Sequence, residues 1–444
     1  MKQLLLFLFL GLSFFSFGQT LEIGKSNSKL PFDGSIDVSY TIQLKKGSTY
    51  LFTVHQNQID VEMILLDSAK KRVAYTDLAD GNNGYDKIDF FSDKDDRYQL
   101  IIRSVEKQKK ADGSIEIFTK KISQKEIDRR KKIAEELKQE NIKQITTSDI
   151  TRFWEAYDRL SLAKTNQDSI NIIQTVYLDR ATDGLKEFQK ARYFAAELFV
   201  ERIGKYKRFY QSVRENTKLP LQMGEKLSSV LENFKRKYPN ATPAKICFVV
   251  GPMSTGGTIS NHYLLLGTEM IAGSKDCDVS EITNENLKTD ILSRTSSAEV
   301  NDFIVETAVH EYVHTQQKKM VKNACDCPLL ENVIKEGVAS YISEKLLLQK
   351  KENKSRAYSF VKENEKKLWK ELKAELCTKD FSKWLFNAAS SKDRPGDLGY
   401  RMGYQIAESY YENAEDKDAA LKEMIEMDNA LLFLNKSKYD VKMR

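Results

Sequence analysis

The sequence predicts a multidomain chain: an N-terminal all-β sandwich of jelly-roll-like character over residues 19–122, a charged linker helix over 123–145, and a mainly helical α+β domain over 146–444. Three observations predict it. Apolar and polar residues alternate with a period of two from about Leu21 to Ile122, and the period lengthens to three and four after that point. One β-rich island then interrupts the helical half, shortly before a pair of histidines.

The chain opens on "MKQLLLFLFLGLSFFSFGQT", with Lys2 before an apolar run from Leu4 to Phe15 and small residues around Phe17. That is the pattern of a secretory signal peptide over residues 1–18, cleaved before Gln19. The apolar run is shorter than the roughly 20 residues needed to cross a bilayer. No cysteine lies near the junction, so the expectation is an exported protein without a lipid or membrane anchor in its mature form, periplasmic or extracellular.

The net charge of +6 is the small remainder of 70 basic against 64 acidic residues. Such a balance gives no electrostatic case for nucleic acid or a membrane surface as partner. Export makes the 5 cysteines candidates for disulfides. Cys247, inside "KICFVV", reads as a buried free thiol, and Cys277, Cys325, Cys327 and Cys377 can pair in three ways that remain open. The C-x-C spacing of Cys325 and Cys327 does not make a zinc knuckle.

In the first part, Ile59, Val61, Met63 and Leu65 alternate with Asp60, Glu62 and Ile64, as on a half-buried strand. Strands are predicted near 37–44, 49–56, 59–66, 71–76, 97–105 and 114–120, divided by turn clusters such as "KKGS", "ADGNNG" and "ADGS". The acidic stretch "DFFSDKDD" reads as a solvated loop, since its oxygen spacing matches no calcium loop. His55 has no partner nearby in sequence and reads as structural or solvated. With "GSTYLFTVHQNQIDVEMILLDSAKKRVAYTD" followed by "DRYQLIIRS", the segment resembles the bacterial pre-peptidase C-terminal domain, a small module attached to secreted proteases.

The stretch "SQKEIDRRKKIAEELKQENIKQ" has high helix propensity and neither Gly nor Pro, as a linking helix should. Beyond it, "DITRFWEAYDRL", "LKEFQKARYFAAELFVERI" and "ENEKKLWKELKAEL" space apolar residues by three and four. The island "KICFVVGPMSTGGTISNHYLLLGTEMIAG" reads as strands over 246–250 and 262–266 joined by a Gly-rich turn. Its "STGGT" lacks the ending of a phosphate loop.

The chemistry concentrates in "ETAVHEYVHTQQ". With 4 histidines in the chain, chance predicts on the order of a few thousandths of an H-E-x-x-H per sequence. Residues four apart share one helix face, so His310 and His314 can converge on one ion at roughly 2.0–2.1 Å, with Glu311 beside them. A third donor is expected from the next helix, "CPLLENVIKEGVASYISEKL". Glu336 is favoured over Glu331 and Glu306, because Gly337 and Ala339 beside it let two helices approach closely. Gln316 stands where zinc-peptidase helices usually carry an apolar residue. His262, at the start of an apolar strand, reads as structural rather than as an oxyanion donor.

H-E-x-x-H followed on the next helix by E-G-x-A resembles the gluzincin pattern of zinc metallopeptidases. The stretches "TTSDITRFWEAYD", "YLDRATDGLKEF", "GPMSTGGT", "HEYVH", "KEGVASY" and "LGYRMGYQIAESYY" together resemble a bacterial family of predicted zinc-dependent proteases. The resemblance implies a zincin fold, one Zn2+ per chain on His310, His314 and Glu336, and Glu311 as general base. It also implies a peptide or protein substrate, with Tyr404 stabilising the oxyanion in preference to Tyr400 and Arg401. The competing expectation is a non-catalytic, zinc-stabilised binding protein that uses the β-sandwich as its interaction surface.

Overall fold

A computed structural model describes residues 19–27, 29–77, 82–105, 112–260, 262–318, 327–348, 355–388, 391 and 394–444. The signal segment expected at 1–18 and Cys325 lie outside them. The chain divides into two compact units, residues 1–132 and 133–444, and the helix α1 (Gln124–Asn141) contains the point of division.

The first unit is a sandwich of two sheets. One has the order β1 (Gln19–Thr20), β3 (Val38–Leu44), β8 (Asp96–Ser104), β5 (Val61–Leu66), β6 (Arg72–Thr76); the other runs β2 (Leu30–Phe32), β9 (Gly113–Lys121), β4 (Ser48–Asn57), β7 (Asn83–Ser92). Inward residues from both sheets, among them Tyr40, Ile42, Phe52, Val54, Met63, Leu100 and Ile117, form one core. Each such side chain contributes roughly 1.5–3 kcal/mol when buried. A one-residue slip would turn a whole strand's set to solvent, so the alternation itself holds the register.

One expectation fails here. Residues 89–92 of "DFFSDKDD" are the end of β7, which pairs with β4 from Ser48↔Ser92 to Asn57↔Asn83. The strand is hard to see because its polarity is partly inverted: Asp86 is fully buried while Phe91 is 60% exposed. His55 stacks on Tyr85 directly across this ladder, with ring centroids 4.5 Å apart.

The second unit is mainly helical around a sheet of order β10 (Ile145–Thr146), β11 (Lys245–Val249), β13 (Tyr263–Gly267), β12 (Gly257–Ile259). β11 is parallel to β13, and the Gly-rich turn expected between them contains β12, antiparallel to β13. Cys247 is buried on β11 as a free thiol, Cys277 is also free and buried, and Cys327 is bonded to Cys377.

Five further helices matter below. In α2 (Ser148–Arg159), Ile150, Phe153 and Trp154 are buried on one face. A short α3 (Thr268–Ile271) follows β13, and α4 (Ser297–Gln316) is capped by the Ser296 side chain, which accepts from the Glu299 N–H. α5 (Pro328–Tyr341) begins with proline at a position that needs no N–H donor, next to the Cys327–Cys377 bond. That bond spans 50 residues of sequence, worth roughly 4 kcal/mol by loop entropy. α6 (Leu398–Asn413) crosses α5 backbone to backbone. A Cβ on Gly337 would collide with the Gly403 backbone, and one on Gly403 with the Val333 carbonyl.

Glu269, on α3, is fully buried, and its carboxylate accepts the Gly251 N–H at 2.6 Å, shaping the loop that leads to β12. Burial pushes its pKa from 4.5 up to about 7.

Two expectations follow for stability. Gly337→Ala and Gly403→Ala should each cost at least 1–3 kcal/mol in urea unfolding, about the cost of an overpacked core. Gly204→Ala, where a Cβ meets nothing within 4 Å, should be neutral or stabilise by up to about 1 kcal/mol. For Glu269 the folded pKa lies above the unfolded one, so its stabilising share is present below pH 4.5 and is lost as pH rises through about 7. Glu269→Gln should therefore gain on wild type by roughly 3 kcal/mol between pH 4.5 and 7.5. Parallel denaturant titrations at both pH values measure that difference.

Candidate metal centre

The last two turns of α4 present His310 and His314 on one side, as the four-residue spacing requires. α5 brings Glu336 against them. His310 Nε2 and His314 Nε2 are 3.0 Å apart, and Glu336 Oε2 lies 3.2 Å from the first and 3.0 Å from the second. Three donors on a tetrahedral zinc ion would be separated by roughly 3.3 Å, so this triangle is close to one face of such a site. Among the described residues, this trio is the group of histidines, cysteines and carboxylates whose ligand atoms lie close enough to hold a metal ion. Glu331 and Glu306 are not part of it.

The donors are partly withdrawn from water, their side chains being 17%, 15% and 14% exposed for His310, His314 and Glu336. Burial raises the Glu336 carboxyl, but the charge of His314 and hydrogen bonds from both rings outweigh it and hold the group well below the carboxylate range. For His314 burial acts downward and Glu336 upward, and the carboxylate wins, giving about 9. A proton and a cation thus compete for the same nitrogen. Glu311 is raised by burial, against the opposing charges of His314 and His310.

The centre opens into a cavity of about 750 Å³ lined also by Arg192, Gly257, Ile259, Lys335 and Tyr400. Gly257 has a steric reason to be glycine, since a Cβ there would collide with the Glu311 carboxylate. Gly257, the second residue of the loop's "GG", therefore lets β12 lie against α4, while a Cβ on Gly256 would meet Ile271 of α3. The unusual Gln316 is explained too: it is buried and pairs with the backbone of Thr242, accepting from its N–H at 2.7 Å and donating to its carbonyl at 3.1 Å.

Other expected residues lie elsewhere. Tyr404 is not among the cavity residues; it is 8% exposed, packs edge-on against Tyr341 at 5.3 Å, and has the Arg401 guanidinium over its ring. One turn of α6 rises roughly 6 Å over four residues, which carries Tyr404 past the cavity. Tyr400 takes the nearer place, its ring 6.2 Å from that of His310 and almost parallel to it. Arg401 pairs with Glu344 at 2.7 Å. His262 is exposed and is not among the cavity residues either.

Two residues with no place in the sequence reading touch the histidines. Gln317 Oε1 lies 2.8 Å from His314 Nδ1, and Ser340 Oγ lies 3.4 Å from His310 Nδ1. Their spacing was the available signal: Gln317 follows His314 by three and Ser340 follows Glu336 by four.

Comparison with known proteins corrects the functional expectation. Among solved structures, the chain is similar to the pre-peptidase C-terminal domain of a Bacillus anthracis collagenase, with 17% identity over 23% of this chain and 93% of that one, at a TM-score of 0.19. It is also similar to PliG, a periplasmic inhibitor of g-type lysozyme, from Aeromonas hydrophila (14% identity, 23% and 95% covered, TM-score 0.18) and from Salmonella Typhimurium (17%, 23% and 97%, 0.18). Scores this low do not support the pre-peptidase identity expected for the sandwich. No curated protein matches.

The family described as gliding motility protein GldB matches residues 134–441. That match overturns the gluzincin reading of this region. With it fall the zincin identity of the fold, the zinc metallopeptidase activity, and the roles of Glu311 as general base and Tyr404 as oxyanion donor. The physical reason is that an H-E-x-x-H helix places two ligands and a carboxylate, whereas a reaction depends on the whole site built around them. A match over more than two-thirds of its length makes this chain a member of the gliding motility protein GldB family.

Proposed function

We propose that this protein is an exported envelope component of gliding motility whose helical unit holds one zinc ion on His310, His314 and Glu336 and uses it for binding rather than hydrolysis. The observation that carries the reading is the convergence of three donor atoms within 3.2 Å of one another on the wall of a cavity. Two imidazoles and a carboxylate suit zinc by donor type, and all three project from helices, the two imidazoles from α4 and the carboxylate from α5. Three protein donors leave a coordination position for a side chain of a protein partner entering the cavity. The family's description supports the gliding role. Export rests on the leader-like N-terminus, and no helix among the described residues is long and apolar enough to cross a membrane.

Purified residues 19–444, dialysed against zinc and then buffer, should retain about one zinc per chain by elemental analysis. His310→Ala with His314→Ala should retain none, and Glu311→Gln should retain as much as wild type. Removing the metal with a chelator should lower the melting temperature by several degrees, the stabilisation expected when a ligand binds only the folded state. Wild-type protein that stays metal-free would overturn the metal reading. Cleavage of a peptide library that disappears in Glu311→Gln would overturn the non-hydrolytic one.

A further inference from the structure

We infer that Gln317 is the positioning residue of this centre, setting the tautomer of His314 and fastening α4 to α5 beside Glu336. The inference rests on the metal reading above. Gln317 is the first residue past α4, in extended conformation with φ −65° and ψ 135°, and its own N–H still bonds to Val313. From there its side chain reaches in two directions. Its Nε2 donates to the Lys335 carbonyl at 2.9 Å, and its Oε1 lies 2.8 Å from His314 Nδ1.

The chemistry of the two partners removes the usual ambiguity of an amide. A backbone carbonyl only accepts, so the NH2 group must face Lys335 and the amide oxygen must face the imidazole. His314 Nδ1 then has to carry a hydrogen and donate it. Its Nε2, 3.0 Å from both His310 Nε2 and Glu336 Oε2, is left as the nitrogen with a lone pair for a metal.

The second anchor has its own consequence. Lys335 immediately precedes Glu336, so the carbonyl that Gln317 holds belongs to the peptide group from which Glu336 extends. One amide therefore orients a donor on α4 and the backbone under a donor on α5. Among the described residues, His310 has no equivalent amide: the hydroxyl of Ser340, 3.4 Å from its Nδ1, can donate or accept and so does not dictate a tautomer.

The test compares zinc affinity by competition with a chromophoric chelator in wild type, Gln317→Ala and Gln317→Glu. Gln317→Ala should bind zinc 10- to 100-fold more weakly, the usual effect of losing a partner behind a metal-binding histidine. Gln317→Glu, which keeps an acceptor for Nδ1 but has no hydrogen to donate to the Lys335 carbonyl, should recover part of that loss. Nitrogen NMR of the zinc-loaded protein supplies a readout that a merely structural role would not move. A slowly exchanging Nδ1 proton on His314 should be present in wild type and lost in Gln317→Ala. Wild-type affinity in Gln317→Ala, or an unchanged Nδ1 signal, overturns the inference while leaving the metal centre intact. Absence of zinc binding in wild type removes both, and is recognised because it precedes any substitution.

Discussion

The crossing of α5 and α6 at Gly337 and Gly403 is the constraint on which the centre depends. At that point two helices meet with no side chain between them, closer than a crossing padded by even an alanine on each side would permit. Glu336 is the neighbour of Gly337 in the chain, so the depth of the crossing sets how far its carboxylate reaches. The disulfide at Cys327, one residue before α5 starts, and the Leu330 N–H bonded to the Leu376 carbonyl at 3.0 Å hold the other end of the same helix. With α5 held at both ends, the third donor arrives at α4 in a fixed place.

What it arrives at is a costly arrangement. Two imidazole nitrogens and a carboxylate oxygen, each mostly withdrawn from water, sit within 3.2 Å of one another. Their lone pairs repel unless a proton or a cation lies among them. The fold around them is consistent with a cation, since Gln317 turns the lone pair of His314 inward and Gly257 makes room for β12 beside Glu311. Gln316, by pairing with the backbone of Thr242, lets the end of α4 carry a polar residue toward the interior without leaving it unsatisfied.

The same residues show how far a motif reaches. H-E-x-x-H followed by E-G describes a placement of donors, and the donors are found together as that placement implies. It does not describe a reaction, and the family to which the chain belongs is described as gliding motility protein GldB. Tyr404 illustrates the gap at the level of one residue: the analogy put it over the centre, and its packing against Tyr341 puts it elsewhere. Tyr400 has the nearer position through nothing more than its place one turn earlier on α6.

What the sequence determined by itself is whatever depends on neighbours in the chain. The period-two alternation is legible in strands such as β5 and β8, where inward residues are apolar, and the pairing of His310 with His314 is legible because a helix repeats on itself. β7 escaped because Asp86 points inward and Phe91 outward, so its pattern of polarity no longer follows its pleat. Tertiary structure alone decided that Cys327 bonds to Cys377, that Gly403 meets Gly337, that Gln317 reaches both His314 and Lys335, and that Tyr400 rather than Tyr404 lines the cavity. Apart from the step from Gln317 to His314, three residues along the chain at the end of one helix, each of these is a distance between segments well separated in the chain. Such distances follow from the packing of whole helices, which no local periodicity encodes.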